Sequence, residues 1–115
     1  MTPTVLVVDD ERFIVELLAE VLTEEGFEVR RAYDGKAAWE EVSVTPPDLV
    51  LTDVFMPRLN GLELARMVQE IGIPVVLMSA VASGAGGPGI GFIAKPFDLD
   101  EILDIVNTVL NPKDP

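Results

Sequence analysis

Short apolar runs that end abruptly at a carboxylate or hydroxyl constrain this chain more than any other feature. Thr4 to Val8 is rich in β-branched residues and is cut off by Asp9-Asp10-Glu11. Asp48 to Thr52, with Leu49-Val50-Leu51 at its centre, stops at Asp53, and Ile73 to Met78 stops at Ser79. Phe92-Ile93-Ala94 gives way to Lys95-Pro96-Phe97. Such runs are too short for helices, and their unbroken apolarity suits strands buried on both faces. Glu28 to Ala32 alternates instead and predicts a strand nearer an edge.

Helical spacing fills the intervals. Ile14, Leu17, Leu18, Val21 and Leu22 form a stripe of threes and fours, with Gly26 placed to end it. Asp34 can cap a second helix carrying Ala37, Ala38, Trp39 and Val42, which Pro46-Pro47 stops. Leu62, Leu64, Ala65 and Val68 predict a third, bounded by the Asn60-Gly61 loop and by Gly72. Asp98 with Glu101 is a capping box for a last helix that buries Ile102, Leu103, Ile105, Val106, Val109 and Leu110. Asn111-Pro112 ends it, and 111–115 read as a tail or the start of a linker. Five strands alternating with helices imply parallel pairing through right-handed crossovers, hence a three-layer, doubly wound α/β sandwich. With 115 residues, one domain over 1–115 is expected.

The exception is residues 80 to 91. Gly84, Gly86, Gly87, Gly89 and Gly91 crowd this interval, and each glycine disfavours a helix by about 1 kcal/mol relative to alanine. The fourth helix is therefore expected to be short or absent. The run is also no phosphate cradle of the nucleotide-binding kind. It lacks Gly-Lys-Ser/Thr, and a dinucleotide fingerprint belongs to the first strand–helix turn.

Composition removes several chemistries. The chain has no cysteine and no histidine, so thiol nucleophiles, disulfides, Cys/His zinc sites and histidine bases are excluded. The formal charge of -12 argues against direct contact with bare nucleic acid or an anionic membrane. It suits cations or basic partners. No apolar run reaches membrane-spanning length, and Met1-Thr2-Pro3 leads straight into a strand without a basic region. A cytoplasmic location is expected.

In doubly wound sheets the ligand site lies beyond the carboxyl ends of the strands. The polar residues there are Asp9, Asp10, Asp53, Ser79 and Lys95. Three converging carboxylates repel one another. A hard divalent cation relieves that repulsion, and magnesium, which takes few carboxylates and accepts phosphate oxygens, is the natural candidate, with manganese second. Lysine as a point charge and serine as a hydroxyl donor complete a phosphoryl-transfer set. Asp53 is the best-placed nucleophile.

These residues resemble the receiver domain of bacterial two-component response regulators. Val5-Leu6-Val7-Val8-Asp9-Asp10-Glu11 is similar to its first strand and acidic pair, and Asp53-Val54-Phe55-Met56-Pro57 with Gly61 to its phosphoacceptor segment. Ser79-Ala80 and Lys95-Pro96-Phe97 match its hydroxyl and lysine positions. The likeness covers about residues 4 to 110. It implies a flavodoxin-like (βα)5 fold with strand order 2-1-3-4-5. It also implies that Asp53 accepts a phosphoryl group from a histidine kinase or phosphotransfer protein. Asp10, Asp53 and the Phe55 carbonyl would ligate magnesium, with Asp9 acting through metal-bound water. Lys95 and Ser79 would contact the phosphoryl oxygens. Ser79 and Phe92, an aromatic three residues before the lysine, would be the switch pair. Phe55 and Val81 would flank the phosphoryl group and tune its hydrolysis, and the Lys95-Pro96 bond would often be cis. Homodimers also occur on the face that includes the fourth helix, which here is the departure from the family.

Each element has a plainer reading. Acidic residues favour helix N-termini, Asp53 could cap a turn, and Lys95-Pro96 could be a loop. Phe92 alone suits the core, and Trp39 suits packing of the second helix or a surface anchor. The full set at successive strand ends favours the site. Two other functions remain. A magnesium-dependent Asp-nucleophile phosphatase would carry a second Asp two residues after the nucleophile, where this chain has Phe55. A degenerate receiver would bind partners without phosphorylation.

Overall fold

The computed structural model describes residues 2–56, 58–79 and 90–110. In chain order the elements are β1 (Thr4–Val8), α1 (Arg12–Glu24), β2 (Glu28–Ala32), α2 (Gly35–Val44) and β3 (Leu49–Asp53). Then follow α3 (Gly61–Glu70), β4 (Val75–Ser79), β5 (Ile90–Ala94) and α4 (Leu99–Leu110). All four strand pairings are parallel, in the order β2-β1-β3-β4-β5. The doubly wound architecture expected from the apolar runs is thus the one formed.

Alternation of side chains along the strands divides the core into two layers. Leu6, Val8, Val50 and Leu77 point to the face covered by α2 and α3, where they meet Ala38, Val42, Leu64, Ala65 and Val68. Val5, Val7, Leu49, Leu51, Val76 and Met78 point to the face covered by α1 and α4, meeting Val15, Leu18, Leu22, Ile102 and Val106. β3 and β4 are buried at every residue, as central strands of a two-sided sheet must be. β2 is the exposed edge on one side, which accounts for its alternating charge.

The helix ends follow local chemistry. The Asp34 carboxylate accepts the Ala37 N–H at 2.7 Å, and the Asn60 side chain accepts the Glu63 N–H at 3.0 Å. Asn60-Gly61 is therefore the cap and first residue of α3 rather than loop alone. The Glu101 carboxylate accepts the Asp98 N–H at 3.0 Å, which is the returning half of the expected capping box. Gly26 follows α1 at φ 96°, a region that glycine enters without Cβ strain.

β5 begins two residues earlier than its apolar run suggested. Gly91 belongs to the strand, and a Cβ there would press Ile105 and Val76 at 3.2 Å each. The glycine permits close approach of α4 to the sheet, so it is not only a helix breaker. The short or absent fourth helix falls on residues 80–89, which lie outside the described residues, as do Val81 and the tail at 111–115.

Candidate functional site

The topology brings the carboxyl ends of β1 and β3 side by side. Asp9 follows β1 and is wholly buried, and Asp53 ends β3 at 8% exposure. Asp10, one residue on, is exposed. A carboxylate oxygen of each of these three residues lies within 4.8 Å of the others. The convergence expected from the strand ends is realised, with two inner carboxylates and one at the rim.

Lys95 follows β5 and reaches back across the sheet. Its ammonium lies 3.0 Å from Asp9 Oδ2 and 3.4 Å from Asp53 Oδ1. Backbone register places it there, because the Lys95 N–H donates to the Ser79 carbonyl at 2.8 Å. Ser79 is itself buried at the end of β4. The same constellation of Asp9, Asp10, Asp53, Ser79 and Lys95 picked from the sequence thus gathers at one edge of the sheet.

Local hydrogen bonds fix the inner carboxylates. Asp9 Oδ1 accepts the Glu11 N–H at 3.0 Å, turning the chain into α1. Asp53 Oδ1 accepts the Val54 N–H at 2.9 Å, and the Thr52 hydroxyl donates to the Asp53 carbonyl at 2.9 Å. Burial, and then the neighbouring charge of Asp9, raise the pKa of Asp53, while Lys95 and the Val54 N–H act the other way without cancelling them. For Lys95, burial favours the neutral amine, but the hydrogen bond and charge of Asp9 and the charge of Asp53 outweigh it and raise its pKa. The lysine stays charged.

The loop from β3 to α3 is held by a contact that the sequence pattern did not reveal. A Cβ on Gly61 would overlap the Asp53 carbonyl, and one on Gly35 would overlap the Leu59 carbonyl. Glycine at these positions lets backbone pack on backbone on both sides of the loop. Gly61 N–H also donates to the Val54 carbonyl at 2.8 Å. Phe55 sits in this loop with its side chain 64% exposed, beside the acidic site. Phe92 lies on β5, half-buried against the α2–α3 core layer. The Lys95-Pro96 peptide bond is cis.

Comparison with known proteins gives this arrangement a family. The model for the response regulator receiver domain matches residues 5–107. The chain belongs to the response regulator receiver family. The response regulator GtcR of Aneurinibacillus migulanus is 39% identical over 105 residues, covering 85% of this chain and 43% of that protein. The response regulator MprA of Mycolicibacterium vanbaalenii is 35% identical over 123 residues, covering all of this chain and 53% of the relative. This receiver domain therefore spans about half the length of those curated relatives. The receiver domain of the Francisella response regulator 1452 superposes with a TM-score of 0.86 at 30% identity, covering 95% of this chain and 97% of its own. A receiver domain is the phosphorylation-responsive part of two-component signalling, and the buried aspartate cluster of this chain fits that role. Among the described residues no helix is long and apolar enough to cross a membrane.

The donor set also suits a hard cation. Three carboxylates offer oxygen only, two of them buried, and one of these two already has its proton affinity raised by the other's charge. Among the described residues Lys95 alone forms an ion pair with the inner pair.

Proposed function

We propose that Asp53 is the phosphoacceptor of this receiver and that Asp9, Asp10, Asp53 and the backbone carbonyl of Phe55 hold a magnesium ion, which manganese could replace. The observation that carries this reading is the meeting of three carboxylates and one lysine at the ends of β1, β3 and β5. In the transfer, an Asp53 carboxylate oxygen forms a bond to phosphorus. The bond from phosphorus to the donor's leaving group, an imidazole nitrogen in a histidine kinase or phosphotransfer protein, breaks and its electron pair stays with the donor. The product is an acyl phosphate. When bound, magnesium supplies the charge neutralisation that lets an anionic phosphoryl group approach an acidic site.

The chain's own residues do the rest. Burial and Asp9 raise the basicity of Asp53 and so strengthen it as a nucleophile. Lys95 leaves its carboxylate partners to contact a phosphoryl oxygen, and the Ser79 hydroxyl contacts another. Ser79 and Phe92 form the switch pair that carries the change to the surface. No histidine is present to act as general acid, so a labile donor is required. Phe55, apolar and exposed beside Asp53, hinders attacking water and lengthens the phosphorylated lifetime. The unit acts as a single receiver domain over residues 1–115 in the cytoplasm, facing a kinase or phosphotransfer protein on one side and a protein target on the other.

The test is intact mass after incubation with acetyl phosphate and magnesium. One added phosphoryl group is expected. It should be absent in Asp53→Asn and absent without the metal. No uptake, and no change with beryllofluoride as a mimic, would instead mark a receiver that binds its partner constitutively.

A further inference from the structure

Most described cations of this acidic chain are engaged. Arg30 pairs with Glu41, Arg31 with Glu16, and Lys95 with Asp9 and Asp53, while Arg12 stacks 4.1 Å from the centre of the Tyr33 ring. Among the described residues three cations have neither an ion pair nor a ring contact: Lys36, Arg58 and Arg66. All three fall on one stretch of the fold, on α2, on the loop from β3 and on α3. Two of them, Lys36 and Arg58, line an open cavity of about 390 Å³ together with Trp39, Glu40 and Leu59. That volume lies in the range of ligand pockets.

The cavity is lined mainly by carbon and its walls are preformed. Trp39 and Leu59 are half-buried against the α2–α3 core layer. The closeness of Gly35 to the Leu59 backbone locks one wall to the other. Arg58 is held at φ 75°, a left-handed conformation that a residue with a long side chain rarely adopts. Such a conformation persists only where surrounding structure enforces it.

Charge decides the occupant. The chain as a whole repels anions, but at physiological ionic strength charges beyond about 8 Å are screened, so cations in contact outweigh the net charge. We propose that the α2–α3 face is a docking surface for an acidic segment of a partner protein. A bulky apolar side chain of that segment sits between Trp39 and Leu59, and flanking carboxylates meet Lys36 and Arg58. Glu40, on the same rim, directs the carboxylates toward the two cations.

Trp39 is the only tryptophan, so its fluorescence reports on the cavity directly. The probe is a synthetic peptide, Glu-Asp-Leu-Phe-Asp-Glu, titrated into the whole chain. A saturable change in Trp39 emission that weakens as salt rises is expected. The exposed pair of substitutions Lys36→Glu and Arg58→Glu should weaken it about tenfold or more while leaving the circular dichroism unchanged. Four outcomes overturn the proposal. They are no saturable response, an equal response to a lysine-flanked Leu-Phe peptide, an equal response to an acidic peptide lacking Leu-Phe, and binding that survives both charge reversals. A Trp39 change that depends on protein concentration without peptide would make a second copy the occupant and overturn it as well.

Discussion

Asp53 shows how the surroundings of one side chain bear on the stability of the domain. It is buried, beside Asp9, and held by the Val54 N–H. Because its pKa is raised in the folded state, the protein gains stability from protonating it at low pH and loses that gain as pH rises through the elevated value. Asp53→Asn should therefore be more stable than the wild type in metal-free buffer at neutral pH, by about 1 kcal/mol or a few degrees in midpoint. Denaturant melts should show the gap narrowing as pH falls through the raised value and closing only below pH ~4, where the carboxyl becomes protonated in the unfolded state as well. A gap that stays constant across that range would rule out burial and the charge of Asp9 as its cause. Phe55→Asn addresses a different property. It should leave stability within about 0.5 kcal/mol, because the side chain is exposed, and should speed loss of the phosphoryl group. Equal dephosphorylation rates would refute the shielding role.

At the scale of elements, caps and glycine contacts position the functional loop. The Asn60 side chain holds the first turn of α3, and Asn60→Ala should cost about 1 kcal/mol in denaturant unfolding. Gly61→Ala should cost more, about 3 kcal/mol, because its methyl group would collide with the Asp53 backbone rather than with a side chain that can turn aside. A loss below about 1 kcal/mol would mean that the loop can shift, and that it does not hold Phe55 rigidly. The sequence made the strands legible through their unbroken apolar runs and the helices through their stripes. It made Asp34 legible as a cap. It did not disclose the roles of Gly35 and Gly61, because a glycine required by a distant carbonyl looks the same as one required by a turn. Gly91 shows the same limit: its packing partners, Val76 and Ile105, are remote in sequence.

For the whole molecule, strand order matters most. The five site residues were legible because each stands where an apolar run stops, and the parallel sheet sends all those stops to one edge. What composition could not convey was the division of labour among them. Asp9 is sealed in with the lysine while its neighbour Asp10 faces solvent. That division gives a test at the level of the fold. Magnesium should raise the thermal midpoint of the wild type, as any ligand of the native state does, by an amount that grows with the logarithm of its concentration. Asp10→Asn should leave the metal-free midpoint nearly unchanged and shrink the magnesium-induced rise. An undiminished rise would remove Asp10 from the metal site.

The backbone contacts on either side of the β3–α3 loop carry a consequence for how this domain can vary. From Val54 to Asn60 the chain is a ruler of fixed length, pinned to Asp53 by Gly61 and to α2 by Gly35. An added residue has no slack to occupy, whereas the exposed side chains of Phe55 and Arg58 can be exchanged without moving the marks. On the roles proposed for Phe55 and Arg58, exchanging single letters along this span would reset how long a signal lasts, or which partner is met, with the number of letters unchanged.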